Sequence, residues 1–294
     1  MIFLLLSILS STSLFVIFKV ADKYGIRTFD IIIINYIIAS LLGFSISNYS
    51  SEIFPLYANP WFPYSVIIGI LFVIGFVLIG LSSQKVGIAI TTVASKMSVI
   101  IPITFSLIYD PYDQITPIKI FGISLALLAV LLTVYRKRKI DFDPRYLYLP
   151  IILFIGMGVI DSIIKLAQFK HVDNGSSTLF SAVLFTIAAI TGITTNIIRR
   201  NSFRSLLKPA TLFWGSLLGL GNYGSIWFLI LALNSKTEEN IPIDGSAVFG
   251  INNIGIVGLS VMLGLLVFKE KLTWINWMGI VFSFTAIYIL SYTI

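Results

Sequence analysis

Ten nearly uninterrupted apolar stretches run through the chain, at about residues 2–19, 29–48, 61–83, 86–109, 116–135, 148–170, 176–198, 207–233, 244–268 and 273–292. A hydrocarbon layer about 30 Å thick takes about 20 residues of α-helix to cross. Inside that layer every backbone N–H and C=O must be satisfied by the chain itself, so each stretch is expected to be a membrane-spanning helix. The stretches are continuous, whereas the strands of a membrane barrel alternate polar and apolar residues over about 10 positions. With 57% hydrophobic residues, 11% charged residues and a mean hydropathy of +0.97, the chain lies outside the range of soluble domains. The first stretch lacks a basic segment before it, and Lys19 and Lys23 follow it, so it reads as a retained helix rather than a signal peptide.

The 20 basic residues set an orientation. Fifteen fall in the odd-numbered connections, including Lys19, Lys23 and Arg27, the run 136–139 with Arg145, and Arg199, Arg200, Arg204 and Lys208. The even-numbered connections hold Lys119, Lys170 and Lys236. Basic loops stay in the cytoplasm, which puts both termini outside a cell (inner or plasma) membrane that the chain crosses many times. The net charge of +7 is thereby assigned to membrane topology and not to a nucleic-acid partner.

The chain also repeats itself. "TPIKIFGI" (116–123) and "TWINWMGI" (273–280) share Thr, Ile, Gly and Ile at an offset of 157, and "IFKVADKY" (17–24) and "IIKLAQFK" (163–170) share Ile, Lys and Ala at an offset of 146. Residues 1–139 and 148–294 are read as two five-helix repeats joined by a cytoplasmic link at 140–147. Five spans are an odd number, so the second copy enters the membrane inverted, the plan of many secondary transporters. The expected fold is an all-α membrane protein of ten transmembrane helices.

The Pro102 helix with "DPYDQITPIKIFGISLALLAVLL" (110–132), and above all "INNIGIVGLSVMLGLLVFKEKLTWINWMGIVFSFTAIYIL" (251–290), resembles the ends of the two repeats in the EamA-type family of the drug/metabolite transporter superfamily. In that family a Gly-Glu-Arg-Leu-like turn precedes a helix with a glycine near its start. "FKEKLTWINWMG" (268–279) is a close match, while "YDPYDQITPIKIFG" (109–122) departs from it, with Asp110 and Asp113 in the turn. The resemblance implies a ten-helix exporter or exchanger of small metabolites or drugs and leaves the substrate open.

Polar residues inside the apolar stretches are the candidate site. Lys96 lies within about two residues of the middle of the fourth stretch, ~2–3 Å from the bilayer centre at 1.5 Å per residue. A lysine at that depth costs roughly 2.5–3.5 kcal/mol on insertion scales, so it is expected to face the bundle interior and a partner. Asp161, about 4 Å from the middle of the sixth stretch, is the second intramembrane charge, and Lys165 follows it at i+4. Asp161 closes a pair either with Lys165 on its own helix or with Lys96 across the bundle. The 157 offset maps Ser95 and Lys96 onto Asn252 and Asn253, making the same level of the second half polar. Asn35, Asn222, Tyr223 and Trp227 are further candidates for a cavity lining, with interhelical hydrogen bonding or core packing as the alternative. Lys19, the repeat equivalent of Lys165, is expected to snorkel at a helix end. Trp61, Trp274 and Trp277 are expected at the membrane surfaces.

Two buried lysines against one carboxylate leave the cavity with about one excess positive charge if all three ionise, a state that water, a neutral lysine or an anionic ligand relieves. The expected substrate is a small anionic or zwitterionic metabolite, such as an amino acid, docking at Lys96, with a coupling proton or counter-substrate as a further partner besides the lipid bilayer. A permanent Lys96–Asp161 pair accounts for the burial as well, and a non-transporting membrane scaffold or assembly factor is the alternative use of such a bundle. The chain has no Cys and one His, which gives no basis for a disulfide or a metal site, and no cofactor is expected. Neither a zinc-protease signature nor a phosphate loop occurs, and "GLGNYG" (219–224) lies inside an apolar stretch with no strand before it, so no enzyme is expected.

Overall fold

The computed structural model describes residues 2–47, 55–98, 100–101, 116–134, 144–172, 176–200, 202–233 and 245–291. Among them are ten α-helices: α1 Ile2–Lys23, α2 Thr28–Ile46, α3 Phe62–Lys85, α4 Ile88–Met97, α5 Pro117–Val134, α6 Tyr148–His171, α7 Ser177–Ile198, α8 Pro209–Leu233, α9 Gly245–Leu266 and α10 Trp274–Ser291. No strand occurs among the described residues. Four of the helices, α1, α2, α3 and α7, are long and apolar enough to cross a membrane.

The distribution of side chains is that of a helical membrane protein. On α3, Ile67, Ile70 and Ile74 form an exposed stripe at helical spacing, while Ser65, Ser82 and Ser83 of the same helix are fully buried. Asn35, Thr91, Thr92, Asn196 and Ser283 are likewise buried, whereas Leu131, Ile155 and Leu220 are exposed. Polar groups inside and large aliphatics outside suit a chain whose surroundings are hydrocarbon, because the polar groups then find partners only within the bundle.

Two apolar clusters hold the helices together. The larger joins α1, α2, α3, α6, α7 and α8, with Ile88 of α4 and Ile256 of α9, around Phe18, Tyr36, Phe76 and Phe185, with Tyr36 lying 5.3 Å from the Phe76 ring and 6.1 Å from the Phe185 ring. The smaller joins α4, α5, α9 and α10 through Val93, Met97, Val130, Val257, Val261 and Ile280. The main helix pairs are α5 with α10, α1 and α2 with α8, α2 with α7, α3 with α7 and α6, α1 with α9, and α4 with α6 and α9.

Small residues set the closest approaches. A Cβ on Gly219 of α8 would stand 2.8 Å from the Asn35 carbonyl and 2.8 Å from Ile38 Cβ, and one on Gly215 would stand 2.5 Å from Ile34 Cβ. The α8 glycines at 215 and 219 therefore let its backbone lie against that of α2, a packing use of small residues in membrane helices. The expected fourth span, 86–109, is helical over Ile88–Met97, and its continuation at 102–115 lies outside the described residues, as do the link at 135–143 and the acidic stretch 236–244. Trp61 differs from expectation: it is 2% exposed and packs edge-on against Phe180 at 5.9 Å, so it fills the core instead of anchoring at a surface. Trp274 and Trp277 are exposed.

Candidate functional site

Lys96 is half-buried one residue before the end of α4, and Asp161 is half-buried on α6, which packs against α4. The close approach is made at Gly158, where a Cβ would collide with Ile101 just beyond α4. Lys96 and Asp161 lie within electrostatic range of each other. Among the described residues, however, the ion pairs are Lys19–Glu270 and Arg27–Asp30, so the two charges face one another without closing a pair. The fully buried Ser98 sits between the two helices, its Oγ 3.4 Å from Asp161 Oδ2 and 2.6 Å from the Ser95 carbonyl. Lys165 lies in α6, but its side chain falls outside the described residues, and with it the alternative pairing to Asp161.

Asn252 is 4% exposed and its Oδ1 has no hydrogen-bond partner among the described residues, while Asn253 beside it is half-buried. Their level differs from the one expected from the repeat. The start of α4 and the end of α9 meet at Glu270, and Gly264 of α9 lies against Ala89 of α4. The helices are thus antiparallel there, and moving seven residues along each from that contact sets Lys96 beside Val257. Asn253 is then about one turn, ~6 Å, farther along the bundle than Lys96.

The remaining candidates gather elsewhere. A cavity of about 470 Å³ between α1, α2 and α8 is lined by Ser10, Ser13, Leu42, Gly221, Tyr223 and Trp227, among others. Tyr223 is 5% exposed and its ring lies 6.4 Å from Phe185; Trp227 packs on Phe228 at 5.4 Å. Asn222 is buried with its Nδ2 unpartnered, and Asn35 on α2 is fully buried with neither amide atom partnered among the described residues. Buried amides are nearly always hydrogen-bonded to protein or ordered water. The amides left without a partner among the described residues thus lie on α2, α8 and α9. No group of three or more His, Asp or Glu able to hold a metal ion occurs among the described residues.

One feature of the sequence acquires a role that spacing did not give it. After α9, the chain turns back through Lys269, whose φ of 52° is left-handed, and the Glu270 N–H donates to the Gly264 carbonyl at 2.8 Å. This aims the Glu270 carboxylate at the start of α4, where Oε1 accepts from Ile88 N–H at 2.7 Å and Oε2 from Ala89 N–H at 3.2 Å. The first N–H groups of a helix have no partner within it and carry the positive end of its dipole, so a carboxylate suits them. Gly87 makes room: its φ is 117°, and a Cβ there would stand 3.0 Å from the carboxylate. Lys19 at the end of α1 completes the set by pairing with Glu270 Oε1, and Lys19 and Lys23 both lie over the Phe268 ring, at 5.1 and 5.0 Å. Lys19, expected to snorkel at a helix end, meets a carboxylate and an aromatic face there.

No model of a known protein family matches the chain. An uncharacterized protein of Haemophilus influenzae is 27% identical over 303 residues, spanning 98% of this chain and 97% of that protein. A protein crystal structure of 12% sequence identity superposes on 96% of this chain and 97% of its own, with a TM-score of 0.52, a likeness of fold alone.

Proposed function

We propose that the chain is a secondary transporter that moves a small anionic or zwitterionic metabolite across the cell membrane by alternating access between two inverted five-helix repeats, working as an exporter or exchanger. The observation that carries this reading is the unclosed pair Lys96 and Asp161 on facing helices. Opposite charges inside a membrane bundle are costly, and a purely structural role would be served by a closed contact. Left apart, they offer a cationic and an anionic group to a ligand that bridges them.

The repeat is supported by how neighbours exchange when each helix of the first five is swapped for its counterpart in the second. The pair α1 with α8 becomes α6 with α3, α2 with α8 becomes α7 with α3, and α1 with α9 becomes α6 with α4, and all of these pack together. The pairs α2 with α7, α4 with α9 and α5 with α10 map onto themselves. On the α2–α7 contact, Ser40 Oγ hydrogen-bonds Thr186 Oγ1 at 2.7 Å, and these residues are 146 apart, the offset of the Lys19 and Lys165 segments. A residue that touches its own repeat equivalent is what a two-fold axis in the membrane plane requires. Ten spans, termini outside and an inner-membrane setting complete the reading, supported by the basic loops.

The test is an untargeted comparison of metabolites retained by cells with and without the protein, repeated with Lys96→Gln. Transport predicts a small set of acidic or zwitterionic compounds whose retention changes, with the change lost in Lys96→Gln. Identical profiles in cells with and without the protein, or a change confined to cationic compounds, would contradict it.

A further inference from the structure

Three parts of the chain that are remote in sequence meet at Glu270: the end of α1 through Lys19, the start of α4 through Ile88 and Ala89, and the α9–α10 turn that carries the carboxylate itself. Two of them belong to the first repeat and one to the second. The contact is mostly sheltered, with the side chains of Lys19 and Glu270 17% and 10% exposed. Each partner satisfies the others. Both carboxylate oxygens are used, two of the first N–H groups of α4 are capped, and the lysine charge is matched and laid on Phe268. The geometry leaves little tolerance, since a Cβ on Gly264 would stand 2.7 Å from Glu270 Oε2 and one on Gly87 3.0 Å from the same oxygen.

The packing around this contact is also closed. Gln84 of α3 donates to the Phe18 carbonyl of α1 at 3.0 Å and to Thr28 Oγ1 of α2 at 2.8 Å, and Phe18 lies edge-on to Phe76 of α3 at 6.0 Å. Helices α1, α2, α3, α4 and the α9–α10 turn are thus drawn together at one end of the bundle, the end that the basic loops assign to the cytoplasm.

We propose that Glu270, Lys19 and the N-terminus of α4 form a charge latch that holds the cytoplasmic end of the bundle shut, and that releasing it is a required step in opening the bundle to the cytoplasm. The proposal rests on the transport reading. If the repeats rock against each other, α1 and α4 of the first must separate from the α9–α10 turn of the second on whichever side opens, and the latch is a polar contact spanning that division. When it parts, Lys19, the carboxylate and the α4 N–H groups all emerge at a membrane surface, where water replaces each partner. The latch therefore differs from a contact at the bilayer midplane, whose rupture would strand charges in hydrocarbon.

Spin labels on Asp22→Cys, exposed near the end of α1, and Val267→Cys, 58% exposed at the end of α9, read the separation across the latch by pulsed electron resonance. The native chain has no cysteine to remove. With the latch intact, a short-distance population dominates. Glu270→Gln, which keeps the shape and loses the charge, is expected to move at least half of the molecules to a longer-distance population. Lys19→Gln, which leaves the α4 cap in place and guards against a Glu270 variant that fails to fold, is expected to shift the distribution in the same direction by a smaller fraction. Exchanging the charges, Lys19→Glu with Glu270→Lys, is expected not to restore the short population, because the α4 N–H groups would then face an ammonium group. Distributions unchanged in both single variants, or full recovery in the exchange, overturn the latch. Those results leave the transport reading where the metabolite comparison puts it, and a failed metabolite comparison leaves the distances to be read as they stand.

Discussion

Asn276 offers a substitution in which two accounts of one residue give opposite answers. It is fully buried at the start of α10, where Thr273 precedes the helix in a reciprocal cap: Asn276 N–H donates to Thr273 Oγ1 at 3.3 Å, and Asn276 Oδ1 accepts from Thr273 N–H at 2.9 Å and from Thr273 Oγ1 at 2.7 Å. The other half of the amide leaves the helix. Nδ2 donates to the Leu132 carbonyl at 3.3 Å and the Thr133 carbonyl at 2.7 Å, in the last turn of α5. Asn276→Asp has nearly the same shape and keeps an acceptor for Thr273, and a carboxylate near a helix start is favoured by the dipole. If capping were the whole role, the change would be neutral or slightly stabilising. The contact to α5 reverses the expectation, since an oxygen would then face two carbonyl oxygens. Two lost hydrogen bonds at about 1 kcal/mol each and about 1–3 kcal/mol for stranding the buried acceptors give a loss of roughly 3–5 kcal/mol. Asn276→Ala loses these four side-chain bonds, about 4 kcal/mol by the same figure, and strands the same carbonyls without repelling them, for a loss of roughly 5–7 kcal/mol. Unfolding in mixed micelles, followed by circular dichroism, measures both. Asn276→Asp within about 0.5 kcal/mol of the native protein would refute the α5–α10 link, because a carboxylate in the first turn of a helix is itself neutral to slightly favourable.

Three further outcomes are expected. Gly219→Leu should destabilise by about 1–3 kcal/mol in the same assay, since its side chain must displace the Asn35 backbone and Ile38 where α8 meets α2. Lys96→Met and Asp161→Asn should be non-additive by more than about 0.5 kcal/mol in a double-mutant cycle on stability, the double variant recovering part of the loss, and strict additivity would remove their coupling. A single cysteine at Asp141 should be labelled by an impermeant reagent in inverted vesicles and spared in intact cells, the reverse result overturning the orientation drawn from the basic loops.

The long apolar runs make most of the helices legible in the sequence. The runs 29–48, 148–170, 176–198 and 273–292 correspond to helices Thr28–Ile46, Tyr148–His171, Ser177–Ile198 and Trp274–Ser291. A bilayer's thickness fixes helix length, so continuous hydropathy carries the boundaries. Which side of a helix faces lipid is not carried by hydropathy, because a tail of Leu or Ile is equally at home against lipid or a neighbouring helix. Trp61 illustrates the difference: its place near a helix start suited a surface anchor, and only the neighbouring Phe180 decides otherwise. Lys96 and Asp161 were legible as intramembrane charges because charge in an apolar run has few places to go, and the structure brings them within electrostatic range. Glu270 was visible as part of a turn, but its partners lie 182 and 251 residues away in sequence, and nothing local to "FKEKL" points to a helix start or a lysine at that distance. The nearest signal was Gly87, a glycine just before a helix, whose left-handed φ leaves the space a carboxylate fills.

Access to the polar centre from both membrane faces tests the transport account most directly. Ser98 lies two residues beyond Lys96 with its Oγ 3.4 Å from Asp161 Oδ2, is fully buried, and can be replaced by a lone cysteine in a chain that has none. Reconstituted vesicles carrying Ser98→Cys would be exposed to a charged, membrane-impermeant thiol reagent from one face or the other, and the labelled fraction followed with time. Alternating access predicts slow labelling from each face, with both rates changing when a transported compound identified by the metabolite comparison is added. Labelling by lipid-soluble reagents alone, with no reaction from either aqueous side, would contradict it.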